Sequence, residues 1–272
     1  MYKNDIQKMM YHPGMAINQD IDVICLRTYI VNVYFVVLEP RKWVLIDTGL
    51  VFSANRILQA AKDLFGENCP PEAIILTHGH FDHVGSVKKL AEYWDAPVYA
   101  HELETPYLTG GDYPPPDPTV GGGLMARMAA IYPYHGINIK NHLVKLPDNG
   151  QLPFMPGWRW IYTPGHTIGH ISLFRESDRF LIAGDAITTV KQESALAVFS
   201  QYKKLHGPPA YFTINWETAW DSVRYLASFK PHIAATGHGI PMGGGMLAQQ
   251  LDDLVKHFKT MAVPEHGRFV KQ

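Results

Sequence analysis

The chain has 272 residues, of which 46% are hydrophobic and 18% charged, with a formal net charge of -1. That is enough apolar material for a sizeable core in one large domain or two small ones. The near-neutral balance gives no reason to expect a nucleic acid or an anionic membrane as partner. Two cysteines, Cys25 and Cys69, form no Cys-x-x-Cys pair, which argues against a disulfide framework and fits a reduced cytosolic setting. The N-terminal stretch Met1 to Asp5 lacks the apolar core of a signal peptide. The apolar run Ile30 to Leu38 is broken by Asn32 and is too short to span a bilayer. The expectation is a soluble, cytoplasmic protein.

In chain order, Ile21 to Arg27, Tyr29 to Leu38 and Trp43 to Asp47 are rich in β-branched and aromatic residues and predict three consecutive strands. Phe52 to Phe65 carries Ile57, Leu58, Ala61, Leu64 and Phe65 at helical spacing, closed by Gly66. Ala73 to Leu76 predicts a short buried strand, Val84 to Trp94 a helix, and Pro97 to Ala100 another strand. From about Tyr107 to Gly150 the chain carries many glycines and prolines, including Pro114-Pro115-Pro116 and Gly121-Gly122-Gly123. Such a long irregular segment is expected as a lid or cap, with a surface excursion of no role as the alternative. Strands resume at Trp158 to Tyr162, Ile171 to Phe174 and Phe180 to Ala183. Thr213 to Phe229 then predicts a helix, His232 to Ala235 a strand, and Met246 to Phe258 a last helix. No clear linker interrupts this order, so one domain over 1–272 with two sheets flanked by helices is expected.

Fourteen histidines are an unusual number, and histidine is the commonest metal ligand among side chains. The decisive segment is Thr77-His78-Gly79-His80-Phe81-Asp82-His83-Val84-Gly85, between a strand and a helix. Strand ends that open onto helix N-termini are where ligands collect in layered α/β folds. His78 and His80 stand two apart, so extended backbone projects both rings to one side. A turn at Asp82 and His83 then returns a carboxylate and a third imidazole toward the same point. Imidazole nitrogen and carboxylate oxygen suit zinc, and also iron or manganese. Three further segments each place one polar side chain among small residues after a strand: Pro164-Gly165-His166, Ala183-Gly184-Asp185 and Gly237-His238-Gly239. His170 is either a contact to a ligand or to substrate, or a structural histidine bonded to backbone.

The set His78-x-His80-x-Asp82-His83, His166, Asp185 and His238, in that order, resembles the metallo-β-lactamase superfamily. Leu45-Ile46-Asp47-Thr48-Gly49 is similar to that family's early strand-end motif, and the likeness runs from about Val31 to Pro241. The resemblance implies an α/β (α+β) fold, a four-layer αβ/βα sandwich with metals at one edge of the sheets. It implies that His78, His80 and His166 hold one metal, that Asp82, His83 and His238 hold a second, and that Asp185 bridges them. Asp47 would then orient a ligand. A bridging acid is similar to the glyoxalase II and acyl-homoserine lactonase branch, whereas true β-lactamases lack it.

The expected activity is hydrolysis of a lactone, thioester or carboxylic ester by a metal-bound hydroxide, with Asp82 as catalytic proton acceptor. Two divalent ions, zinc before iron or manganese, are the expected cofactors. The expected partner is a small-molecule substrate, with no nucleic acid and no membrane, in a monomer or homodimer. The aromatics Phe199, Tyr202, Tyr211, Phe212 and Trp216 are read either as pocket walls for an apolar acyl part or as ordinary core. Three other readings stay open: a mononuclear iron enzyme resembling persulfide dioxygenases, a non-catalytic binding module, and a nucleic-acid-processing member of the fold.

Overall fold

The computed structural model describes residues 2–15, 22–120, 123–152 and 154–270. Ile21, at the start of the first expected strand, and Gly121 and Gly122 of the glycine run lie outside the described residues. The chain divides into two compact units, Met1–Asp112 with His135–Pro156, and Tyr113–Tyr134 with Gly157–Gln272. The expected irregular segment of 107–150 is therefore shared between them.

The first unit is a sheet with helices. Its elements are α1 (Tyr2–Met9), β1 (Val23–Thr28), β2 (Val31–Glu39), β3 (Lys42–Ile46), α2 (Ala54–Phe65), β4 (Ala73–Ile75), α3 (Phe81–Val84), α4 (Val87–Trp94), β5 (Val98–Ala100), α5 (Thr105–Leu108) and β6 (Leu143–Lys145). The strands lie in sequence order, antiparallel from β1 to β3 and parallel from β3 to β6. β3 and β4 are buried apolar runs, as parallel strands covered on both faces should be. Trp43 on β3 is wholly buried, stacks on Phe65 of α2 at 4.5 Å, and donates Nε1–H to the Cys69 carbonyl at 3.2 Å. Trp43→Ala is expected to cost about 3–5 kcal/mol in denaturant unfolding, through lost burial plus a cavity.

The predicted helix Val84 to Trp94 is two helices, α3 and α4, with Gly85 at the break. Gly85 donates to the Gly49 carbonyl at 2.9 Å and presses on the backbone of Leu50 and Val51, with no room for a Cβ. This contact docks the His80–His83 turn onto the loop after β3.

The second unit holds α6 (Leu124–Met128), β7 (Trp158–Tyr162), β8 (Ile171–Arg175), β9 (Phe180–Gly184), α7 (Ala195–Ser200), α8 (Trp216–Ser228), β10 (Ile233–Thr236), β11 (Met242–Gly243), α9 (Gly244–Lys256) and α10 (Phe258–Met261). Its sheet runs β11-β10-β9-β8-β7, with β9 and β10 parallel and the other neighbours antiparallel. The helix expected from Thr213 begins at Trp216, because the Asn215 side chain caps it by accepting the Thr218 N–H at 3.1 Å. Thr213 is thereby left outside the helix. No helix among the described residues is long and apolar enough to cross a membrane.

Candidate metal centre

In the first unit, β3 and β4 are parallel, so their C-terminal ends lie side by side and present Asp47 next to Thr77 and His78. The backbone leaves β3 at Asp47 with φ of 59°, a left-handed conformation that aspartate tolerates better than most residues. There the Asp47 carboxylate accepts the Thr77 N–H at 2.8 Å through Oδ1. Its Oδ2 accepts the Thr77 hydroxyl at 2.8 Å and meets His83 Nδ1 at 2.8 Å. A carboxylate can only accept, so His83 carries its proton on Nδ1 and keeps the lone pair on Nε2. Thr77 Oγ1 has spent its own proton on Asp47 and lies 3.0 Å from His78 Nδ1. It therefore accepts from that nitrogen, which fixes the same tautomer on His78.

The three rings are gathered. His78 sits 4.7 Å from His80 and 4.2 Å from His83 between centroids. His78 offers a nitrogen within 4.8 Å of one on His80 and of one on His83, and Asp82 offers an oxygen within 4.8 Å of a His83 nitrogen. All four donors are buried. Glu104, itself buried, accepts the Gly79 N–H at 2.7 Å and pins the backbone between His78 and His80. Sequence reasoning missed Glu104, since nothing in its spacing ties it to a residue 25 positions earlier.

In the second unit the C-terminal ends of the parallel pair β9 and β10 adjoin, with the Gly237 N–H on the Gly184 carbonyl at 2.8 Å. This sets Asp185 beside His238, and Asp185 Oδ2 lies 3.1 Å from His238 Nε2 and 3.5 Å from His166 Nε2. Thr213 donates its hydroxyl to the Pro209 carbonyl at 2.7 Å, and its oxygen lies 3.2 Å from His166 Nδ1. His166 is thus also protonated on Nδ1, with Nε2 toward the carboxylate. His166, Asp185 and His238 are each buried. The structure also decides between the readings of His170. Its Nε2 accepts the backbone N–H of Asp185 at 2.9 Å, and its Nδ1 bonds Thr163 Oγ1 at 2.9 Å. His170 holds the turn on which Asp185 stands. The backbone-bonded reading of His170 thus holds, whereas the role of Thr213 was not foreseen.

Neither cysteine belongs to these clusters. Burial pushes the Cys25 thiol up to about 12, and Cys69 bonds the Arg41 carbonyl at 3.1 Å. The expected aromatic wall divides: Tyr211, Phe212 and Trp216 are buried, while Phe199 and Tyr202 are exposed.

Residues 26–238 match the model of the metallo-beta-lactamase superfamily. The chain belongs to that superfamily. Among relatives of this superfamily member, the probable metallo-hydrolase YflN of Bacillus subtilis is 49% identical over 87% of this chain and 90% of its own length. The probable metallo-hydrolase YybB of the same organism is 29% identical over 72% of this chain and 74% of its own. The solved BLEG-1 B3 metallo-beta-lactamase superposes with a TM-score of 0.57 at 23% identity, covering 85% of this chain and 98% of that one. TTHA1623 in a di-iron-bound form gives 0.55 at 25% identity, covering 84% and 97%. The α/β metallo-β-lactamase fold expected from the motif set is thereby established. The donor chemistry fits metal: each unit of this superfamily member buries imidazoles whose Nδ1 is held by an oxygen, the outer contact usual for ligating histidine.

Proposed function

We propose that this metal-dependent hydrolase cleaves a small ester-type substrate, a lactone, thioester or carboxylic ester, at a dinuclear metal centre. In this proposal His78, His80 and His166 would hold one ion, Asp82, His83 and His238 would hold the other, and Asp185 would serve both. One observation carries the reading: His78, His83 and His166 share one tautomer, each clamped at Nδ1 by Thr77, Asp47 or Thr213. The linked pair Asp47 and Thr77, and separately Thr213, give one outcome, which is what a set of Nε2 ligands requires and packing alone does not. Zinc is the proposed ion, and iron or manganese suits the same donors.

When bound, a metal pair supplies an activated water at neutral pH and Lewis-acid polarisation of a carbonyl oxygen. The protein's own part is orientation and proton transfer. Asp82 takes the proton of the attacking water on a carboxylate oxygen and returns it to the departing alkoxide or thiolate. Asp47 and Thr77 hold the His83 and His78 rings, Thr213 holds His166, and His170 holds the backbone under Asp185. Residues 107–150 are proposed as the cover of the substrate site.

Asp47→Ala is expected to lower metal affinity about 10–100-fold, because His83 then loses both its orientation and its enforced tautomer. Titration of metal-free protein with a chromophoric chelator as competitor measures it. The activity itself is tested by assaying metal-analysed protein on lactones, thioesters, carboxylic esters and phosphodiesters. Turnover of a carboxyl ester or thioester with two ions per chain supports the proposal. One iron per chain with oxygen consumption, turnover of phosphodiesters alone, or no turnover at full occupancy contradicts it.

A further inference from the structure

In the second unit the support of Asp185 does not stop at His170. β9 ends at Gly184, where φ is 53°, so the Asp185 N–H lies past the strand ladder. A buried N–H needs an acceptor, and here a side chain supplies it, His170 Nε2 at 2.9 Å. An imidazole nitrogen that accepts carries no proton. The neutral ring is therefore protonated on Nδ1 and donates to Thr163 Oγ1 at 2.9 Å. At the far end Ser172 donates its hydroxyl to the Ala183 carbonyl at 3.0 Å, so toward Thr163, 3.0 Å away, its oxygen accepts. Each proton then has one place: Asp185 N–H to His170, His170 to Thr163, Thr163 to Ser172, and Ser172 to Ala183. This circuit leaves the chain at Asp185 and returns to it two residues earlier, through side chains at most 1% exposed.

We propose that Thr163 is a positioning residue for the metal site, acting through His170 on the backbone from which the Asp185 carboxylate is aimed. The inference rests on the reading of Asp185 as a metal ligand. His166 and His170 come from one loop, with ring centroids 6.1 Å apart, and bracket that aspartate. His166 Nε2 lies 3.5 Å from its carboxylate, whereas His170 Nε2 is spent on its main chain. His170 thus holds a ligand rather than acting as one. Thr163 is placed to govern it, because the Thr163 N–H also donates to the His170 carbonyl at 3.0 Å and fixes the two residues against each other. Valine has the shape of threonine and no hydroxyl. With valine at 163 the Nδ1–H loses its acceptor, and the other tautomer becomes favoured. That tautomer sets Nε2–H against the Asp185 N–H, donor facing donor, and a buried backbone group is left unsatisfied. Serine keeps the oxygen and so keeps the circuit.

The test compares zinc-loaded wild-type protein with Thr163→Val and Thr163→Ser. Zinc affinity is read by competition with a chromophoric chelator, and the protonated nitrogen of His170 by proton–nitrogen correlation NMR. The wild type is expected to carry the His170 proton on Nδ1, with a coupling through the hydrogen bond between Asp185 N and His170 Nε2. Thr163→Val should bind zinc about 10–100-fold more weakly, the usual effect of removing an outer partner of a metal ligand. Its His170 proton should move toward Nε2. Thr163→Ser should restore both readouts. A role in stability alone would lower the melting temperature of Thr163→Val and move neither readout. Wild-type His170 protonated on Nε2 overturns the proposal even if a variant does not fold. Wild-type zinc affinity in Thr163→Val overturns it too, as does Thr163→Ser binding no better than Thr163→Val. Wild-type protein that takes up no metal is a different outcome, which sinks the metal-centre reading and this inference with it.

Discussion

Asp82→Asn is expected to lower kcat/KM about a hundred- to ten-thousand-fold, the usual worth of a positioned proton acceptor. Asparagine keeps the shape of the side chain and cannot take the proton. Asp82 is buried on α3 between His80, which starts that helix, and His83, which follows at once. The substitution therefore leaves the histidine cluster and its Asp47 clamp in place. Steady-state kinetics on protein of measured metal content separates two effects. A fall in rate at unchanged metal content reports the proton, whereas a fall in proportion to metal reports Asp82 as a ligand. No loss of rate at all contradicts the role assigned to it.

Removing the metal is expected to have the second large effect. At a free concentration about a thousand times the dissociation constant, a ligand specific for the folded state contributes about 4 kcal/mol. For a chain of this size each kcal/mol corresponds to about 2–4 °C. Chelation should then lower the melting temperature by about 8–16 °C, abolish activity, and be reversed by adding back zinc. A melting temperature indifferent to chelator, followed by scanning calorimetry, contradicts a metal held by six buried donors and a bridging carboxylate.

Much of this was legible in the sequence, for reasons that can be assigned. Val31–Glu39, Trp158–Tyr162 and Phe180–Gly184 were readable as strands because β-branched and aromatic runs mark pleated, buried backbone. That His166, Asp185 and His238 are buried polar groups at turns was legible, because each stands among small residues just past a strand. What failed was what depends on pairing between distant segments. Glu104 reaches back to Gly79, Thr213 to His166, and His170 forward to the Asp185 backbone, and no local pattern announces such bonds. The strand Leu143–Lys145 went unpredicted inside the irregular segment, since three residues are too few to show a period, and pairing with β5 makes it a strand. The expected helix Val84 to Trp94 includes Gly85, whose N–H instead goes to the distant Gly49 carbonyl at 2.9 Å, a bond no local pattern shows.

The central proposal is that His78, His80, Asp82, His83, His166, Asp185 and His238 hold one pair of ions, and an anomalous difference map from crystals of metal-loaded protein tests it most directly. The account predicts two peaks about 3.5–4 Å apart, one beside His78, His80 and His166, the other beside Asp82, His83 and His238, with Asp185 touching both. A single peak, or peaks held by other side chains while His78 and His238 face separate surroundings, would contradict it.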